Sequence, residues 1–168
     1  MAVIFDLDQT LIDSAIAEQH RRPGQWQRAY QLIPQLRPYE GIAGLLEELQ
    51  ARHIPTCIVT SSPETYCSRV VNHWGWNFDA MVCYHHTTRR KPFPDPIFLA
   101  LERLGVEPEQ AVSIGDDAKD VTASNRAGVF SIAVLWGCQQ RQALLDAQPD
   151  LVCETISELR DFLMDRFP

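Results

Sequence analysis

The sequence predicts an α/β fold with a doubly wound, Rossmann-like parallel sheet in a single domain, residues 1–168. Short apolar runs alternate with segments of helical periodicity, which is the pattern of strands buried on both faces of a parallel sheet and linked by helices. The stretch 14–38 breaks this alternation directly after the first strand. We therefore expect a doubly wound sheet that carries a short helical insert.

Five apolar runs are clear strand candidates, and a sixth is weaker. They span residues 2–5, 55–59, 80–84, 111–114 and 130–135, with 151–153 as the sixth. Helical spacing of apolar residues begins at Ile42, Ile97 and Ile156, and we assign these residues to the core. Before Ile97, Asp95 is the expected helix cap and Pro96 the expected first helical residue.

The insert, residues 14–38, differs from its surroundings in charge. It contains four arginines and one glutamate, a net charge of +3, so the other residues together carry −10 of the total of −7. Its apolar and proline pattern predicts two short helices, with Asp13 as the cap of the first. We expect Arg21, Arg22 and Arg28 to attract an anionic substrate and to control substrate choice.

The overall composition excludes several classes of function. With 22 acidic against 15 basic residues, bulk electrostatic binding to nucleic acid or to an anionic membrane is disfavoured, although a local basic patch is not excluded. The longest nearly apolar run, 129–136, is far shorter than the ~18–20 residues of a membrane span. The amino terminus lacks the basic start of a signal peptide. Five cysteines without a CxxC pair predict reduced thiols and a cytoplasmic protein.

Polar side chains follow the predicted strands at one edge of the sheet, where ligands bind in open parallel sheets. The residues concerned are Asp6, Asp8 and Thr10 after the first strand, Thr60 and Ser61 after the second, Lys91 in the loop after the third, and Asp116, Asp117 and Asp120 after the fourth. Clustered carboxylates repel one another unless a cation neutralises them, and oxygen ligands favour Mg²⁺. Lysine and threonine would hold phosphoryl oxygens, and an aspartate would attack phosphorus.

Four segments carry a family resemblance, and they occur in the family's order. Asp6-Leu7-Asp8-Gln9-Thr10 resembles the first motif of the haloacid dehalogenase (HAD) superfamily in its phosphatase branch, with Gln9 where glycine is usual. The second, third and fourth motifs are resembled by Ile58-Val59-Thr60-Ser61-Ser62, by Arg90-Lys91-Pro92-Phe93-Pro94-Asp95-Pro96 and by Ser113-Ile114-Gly115-Asp116-Asp117-Ala118-Lys119-Asp120-Val121. An ordered set of four motifs is a specific signal.

The resemblance implies a Mg²⁺-dependent phosphatase that forms an aspartyl-phosphate on Asp6. Asp8 would be the general acid and base. Mg²⁺ would be held by Asp6, Asp116 and the backbone carbonyl of Asp8. The phosphoryl group or substrate would be bound by Thr60, Lys91, Ser61 and Arg90, the last within a basic run at 85–91. Asp120 would orient waters or Lys91, and Asp117 would support the site mainly as a helix cap.

Related enzymes of the phosphoglycolate phosphatase type carry a full helical cap, whereas the insert at 14–38 is long enough only for a vestigial one. We therefore expect an open site for a phosphorylated small molecule or for the phosphate-bearing end of a larger substrate. Two alternatives remain, a polynucleotide end phosphatase and a catalytically silent binding relative. A response-regulator receiver domain is disfavoured, because in such domains the acidic pair precedes the lysine, whereas here Asp116 and Asp117 follow Lys91.

Overall fold

The computed structural model describes residues 1–167 and contains a six-stranded parallel sheet in the order β5-β4-β1-β6-β7-β8. The six strands are β1 (Ala2–Phe5), β4 (Thr56–Val59), β5 (Ala80–Val82), β6 (Ala111–Gly115), β7 (Phe130–Val134) and β8 (Leu151–Cys153). A separate antiparallel pair joins β2 (Ile12–Asp13) and β3 (Arg37–Pro38). The predicted α/β fold with a doubly wound parallel sheet is confirmed.

Helices connect the strands and cover the sheet. They are α1 (Ala15–Glu18), α2 (Trp26–Leu32), α3 (Ile42–Ala51), α4 (Glu64–Trp74), α5 (Asp95–Leu104), α6 (Ala118–Ala127), α7 (Arg141–Asp146) and α8 (Ile156–Arg166). Two 3₁₀ turns, Ile33–Gln35 and Pro108–Gln110, precede β3 and β6. Successive β1 residues point to opposite faces: Val3 and Phe5 pack with α3, α4 and α8, whereas Ile4 packs with α5 and α6.

Two local predictions are corrected. The third strand ends at Val82 and does not continue to Tyr84, because the Cys83 N–H donates to His86 Nδ1 at 3.0 Å and the chain turns there. Asp95 does not cap α5: Pro94 occupies the cap position, and Asp95 lies inside the first turn, where its carboxylate accepts a hydrogen bond from Arg89 Nε at 3.0 Å.

The insert packs against α4. The ring centroids of Trp26 and Tyr66 lie 5.6 Å apart, and the Arg69 guanidinium lies 4.6 Å from the centroid of Tyr30. Residues 14–38 contain the two helices α1 and α2, and the Asp13 carboxylate accepts a hydrogen bond from the Ala15 N–H at 3.1 Å. Aromatic contacts of this kind fix the insert to the sheet's helical layer.

Within residues 1–167, every helix falls short of the length and apolarity that crossing a bilayer requires. All five cysteines are free, and four of them are buried.

Candidate active site

The candidate site lies where the strand order reverses, beyond the carboxyl ends of β1 and β6. Asp6 follows β1, Asp116 follows β6, and the Asp6 N–H donates to the carbonyl of Ile114 at 2.9 Å. A cavity of about 350 Å³ opens at this edge. Ligand sites in open α/β sheets occur at such reversal points, because the helices that follow the two strands leave the sheet on opposite faces.

Three carboxylates converge at the floor of the cavity. One oxygen from each of Asp6, Asp116 and Asp120 lies within 4.8 Å of the other two. The Thr10 hydroxyl donates to Asp116 Oδ1 at 2.8 Å, which holds this carboxylate in place. Clustered carboxylate oxygens are hard donors of the kind that Mg²⁺ prefers, and Asp6 and Asp116 are the two of these three that the family resemblance assigns to the metal.

Lys91 lies between two of these carboxylates, Asp6 and Asp120. Its Nζ lies 2.7 Å from Asp6 Oδ1 and 2.6 Å from Asp120 Oδ1, and it donates to the carbonyl of Val59 at 2.9 Å. The side chain is only 3% exposed. The buried ammonium group therefore offsets part of the negative charge and fixes the position of the Asp6 carboxylate.

The titration of these groups reflects their crowding. Burial raises the pKa of Asp6 to about 7, with the Asp120 carboxylate adding to the effect and Lys91 opposing it. Burial and the neighbouring Asp6 likewise raise the pKa of Asp116 to about 8. Burial alone would lower the pKa of Lys91, but the carboxylates of Asp120 and Asp6 outweigh it and raise this pKa above its ordinary value. A bound cation would relieve the remaining repulsion between the carboxylates.

Asp8 lines the same cavity outside the group of three carboxylates and is surrounded by donors. Its Oδ2 accepts a hydrogen bond from Ser62 Oγ at 2.9 Å and forms an ion pair with Arg21, and its Oδ1 accepts from the Tyr66 hydroxyl at 3.1 Å. The sequence pattern predicts no catalytic role for Ser62 or Tyr66. Ser62 lies in the loop between β4 and α4 and Tyr66 in the first turn of α4, so both stand at the sheet edge that carries Thr60 and Ser61.

The other predicted residues take different places around the cavity. Thr60 lines it and is nearly buried, with its Oγ1 accepting a hydrogen bond from the Ser62 N–H at 3.1 Å. Ser61 lines it and is exposed. Asp117 caps α6, since its carboxylate accepts from the Lys119 N–H at 3.0 Å. Asp120 completes the capping box by accepting from the Asp117 N–H at 3.1 Å.

Arg90 is not brought into the cavity, which corrects its predicted contact with substrate. Its guanidinium donates to the carbonyls of Tyr84 at 3.0 Å and Thr88 at 3.3 Å, and lies 3.7 Å from the centroid of the Tyr84 ring. The loop's own backbone thus accepts hydrogen bonds from Nε and Nη1 of Arg90. From the basic run 85–91, Lys91 is the residue whose cation reaches the carboxylate cluster.

The insert contributes a wall to the cavity through Glu18, Arg21 and Trp26. Gln139 Nε2 donates to Glu18 Oε2 at 3.1 Å, so the insert meets the segment before α7 across the site. Arg22 and Arg28 are exposed and do not line the cavity, and Arg28 donates to Gln31 at 3.1 Å. This corrects the prediction that all three arginines face a substrate, because only Arg21 turns inward.

The loop that carries Asp8 is held by close backbone contacts. Gln9 has a φ of 65°, in the left-handed region that explains the usual glycine at this position, and its Oε1 accepts from the Tyr39 hydroxyl at 2.6 Å. Trp136 Nε1 donates to the Thr10 carbonyl at 2.9 Å. A Cβ on Gly137 would lie 1.8 Å from the Gln9 carbonyl oxygen. This contact leaves no room for any larger residue at 137.

The Gly137→Ala variant should therefore be destabilised by about 1–3 kcal/mol, since the new methyl group must displace backbone and cannot be accommodated by a side chain alone. Chemical denaturation would measure the loss. Gly44→Ala, in α3 with open space around the new Cβ, is the matched control and should gain up to ~1 kcal/mol in helix propensity. Equal stability of the two variants would contradict the close approach of Gly137 to Gln9.

Comparisons with known proteins show the family to which the chain belongs. The family model for haloacid dehalogenase-like hydrolases matches residues 18–134. The N-acetylmuramic acid 6-phosphate phosphatase of Pseudomonas aeruginosa is 34% identical over 103 residues, covering 60% of this chain and 46% of that protein. Pyrophosphatase PpaX of Oceanobacillus iheyensis is 31% identical over 124 residues, covering 73% of this chain and 58% of that protein. The chain thus spans about half the length of the curated relatives it matches.

A solved structure shares the fold at low sequence identity. The hydrolase from Pseudomonas syringae superposes with a TM-score of 0.80 at 21% identity, covering 98% of both chains. The sheet order and the ordered motifs around Asp6, Thr60, Lys91 and Asp116 are accompanied by a family match over most of the chain. The chain belongs to the haloacid dehalogenase-like hydrolase family.

Proposed function

We propose that this chain is a Mg²⁺-dependent phosphatase that hydrolyses a phosphate monoester through an aspartyl-phosphate on Asp6. The position of Lys91 carries this proposal. Its ammonium group lies 2.7 Å from Oδ1 of Asp6 and is almost fully buried, so the Asp6 carboxylate is held in a fixed orientation through this oxygen. A fixed carboxylate beside a buried cation is suited to attack on a phosphoryl group.

The residues divide the reaction into two steps. Asp6 attacks phosphorus and the bond to the leaving oxygen breaks, while Asp8 donates a proton to that oxygen. Asp8 then takes a proton from a water molecule, whose oxygen attacks phosphorus and releases Asp6. The Thr60 hydroxyl and the Lys91 ammonium group would hold the phosphoryl oxygens.

The metal would be held by the carboxylates of Asp6 and Asp116 and by the backbone carbonyl of Asp8. When bound, Mg²⁺ supplies positive charge that offsets the carboxylates and the phosphoryl oxygens. Asp120 would stay with Lys91, since its Oδ1 lies 2.6 Å from Nζ. The raised pKa values of Asp6 and Asp116 support a site whose carboxylates require a cation to be ionised together.

A phosphorylated small molecule is the substrate class that the walls support best. The cavity of about 350 Å³ has room for one, and the hydrogen bond between Glu18 and Gln139 bounds it on the side of the insert. Six carboxyl groups line the cavity against the two cations Arg21 and Lys119, and this excess of negative charge disfavours a long polyanion such as a polynucleotide. Both curated relatives bear the names of phosphate-releasing enzymes. Free thiols, four of them buried, support the cytoplasm as its location.

The direct test is hydrolysis of 4-nitrophenyl phosphate with and without Mg²⁺. We expect turnover with Mg²⁺, complete loss on chelation and recovery when Mg²⁺ is restored in excess. Full activity in the presence of chelator would contradict the metal assignment. A Mg²⁺-dependent rise in melting temperature without turnover of any phosphate monoester would instead favour a silent binding relative.

A further inference from the structure

Arg21 lies in the connection between α1 and α2 and forms an ion pair with Asp8 Oδ2. Its side chain is 18% exposed, whereas Arg22 next to it is exposed. Arg21 is therefore the point at which the insert contacts the residue that would transfer protons. Burial would lower the pKa of Arg21, but the Asp8 carboxylate outweighs it, so the guanidinium stays charged.

The Asp8 carboxylate is held from both of its oxygens. Tyr66 donates to Oδ1 at 3.1 Å, while Ser62 at 2.9 Å and Arg21 bind Oδ2. Donors on both oxygens oppose rotation of the carboxylate plane, which a single hydrogen bond would permit. The ring of Tyr66 is itself packed 5.6 Å from Trp26, so the insert supports Asp8 both directly and through Tyr66.

We infer that Arg21 and Tyr66 are positioning residues for Asp8, and that the insert therefore acts on the chemistry of leaving-group departure as well as lining the cavity. The inference rests on the proposed function, since it assigns Asp8 the transfer of protons. It differs from the expectation that the arginines of the insert control only the choice of substrate, because it gives Arg21 a role in the chemistry. Arg21 and Ser62 hold Oδ2 as an acceptor, so Oδ1 is the oxygen that would carry the transferred proton and must meet the leaving oxygen at hydrogen-bond distance.

The chemistry makes this role separable from substrate binding. When the bond between phosphorus and the leaving oxygen breaks, the electron pair stays on that oxygen and the Asp8 proton neutralises it. A weakly basic leaving group such as 4-nitrophenolate departs without that proton, whereas phenolate, which is more basic, depends on it. Because kcat/KM reports only the steps up to the first irreversible one, formation of the aspartyl-phosphate, it isolates this protonation from the later attack of water.

The experiment compares kcat/KM for 4-nitrophenyl phosphate and phenyl phosphate, two substrates of similar shape, with Mg²⁺ present. Arg21→Gln should lower kcat/KM for phenyl phosphate by about 10-fold or more, a part of the ~10²–10⁴-fold that acid–base transfer supplies, and for 4-nitrophenyl phosphate by less than about 2-fold. Tyr66→Phe keeps the ring that packs on Trp26 and should show the same selectivity to a smaller degree. Arg21→Lys, which retains the charge, should recover part of the loss.

The matched controls are Arg22→Gln and Arg28→Gln, which remove the same charge from exposed positions of the same insert and should leave both substrates unchanged. Equal losses for the two substrates in Arg21→Gln and Tyr66→Phe, or a rise in KM alone, would overturn the inference while leaving the proposed function intact. Wild-type protein that hydrolyses neither substrate would overturn the proposed function and the inference together.

Discussion

Replacing Asp6 with Asn should reduce turnover of an aryl phosphate by at least ~10⁴-fold, because the amide keeps the shape of the side chain but has no anionic oxygen to attack phosphorus. The fold should persist. Burial raises the pKa of Asp6 to about 7, so the ionised carboxylate destabilises the metal-free folded state, and a neutral amide removes that charge. Steady-state kinetics and a thermal melt of the same preparation would measure both effects.

Asp117→Asn is the matched control for this substitution. It makes the same chemical change at the same edge of the sheet, but Asp117 caps α6 and is exposed, and asparagine caps helices about as well. The control should lose less than ~10-fold in rate, since it leaves the cap in place. An Asp6→Asn protein that turns over at a rate similar to that of the control would contradict the covalent mechanism.

Replacing Lys91 with Met should have the largest effect on stability, a loss of about 3–5 kcal/mol in the metal-free protein. The ammonium group is 3% exposed and lies between Asp6 and Asp120, so its removal leaves two crowded carboxylates without their cation. Turnover should also be lost, since Lys91 fixes Asp6. Urea denaturation without Mg²⁺ measures the first effect, and the aryl phosphate assay measures the second.

The loss should depend on pH in a definite direction. The pKa of Lys91 is raised in the folded protein. The stability that its charge contributes is therefore present in full below the ordinary lysine pKa and is lost as the pH rises through the raised value. The pKa of Asp6 is also raised, to about 7, so the unfavourable charge appears as the pH rises through that value. The variant should therefore lose more stability at about pH 8.5 than at about pH 5, where Asp6 is protonated.

Two further variants test whether the loss of stability comes from the buried charges or from the change of side chain itself. Lys119→Met removes an ammonium group that is 43% exposed and lies 3.3 Å from Asp117, and should cost less than ~1 kcal/mol. Combining Lys91→Met with Asp120→Asn removes one of the stranded carboxylates and should recover part of the stability. A loss that is the same at both pH values, and the same in the double variant, would contradict the electrostatic explanation.

The sheet was predictable because its signal lies within short stretches of sequence. Strands buried on both faces need uninterrupted apolar residues, so β1 and β8 have the predicted bounds, and the other parallel strands differ by one or two residues at an end. The apolar run predicts that β5 ends at Tyr84, but it ends at Val82, because the turn at Cys83 depends on the ring of His86. Because the strands are parallel, the residues that follow their carboxyl ends, Asp6, Thr60, Lys91 and Asp116, are predicted to lie at one edge of the sheet.

The sequence does not show which of two adjacent positively charged side chains enters the site, because folding gives the two different surroundings. Arg90 stacks on Tyr84 while Lys91 enters the carboxylate cluster, and Arg21 binds Asp8 while Arg22 stays exposed. Strands and helices repeat, so their faces can be deduced from spacing, but a loop has no repeat that would assign a direction to each side chain. Those directions come from packing between distant segments, such as Trp26 on Tyr66, and this packing places the insert's arginine on the carboxylate of Asp8.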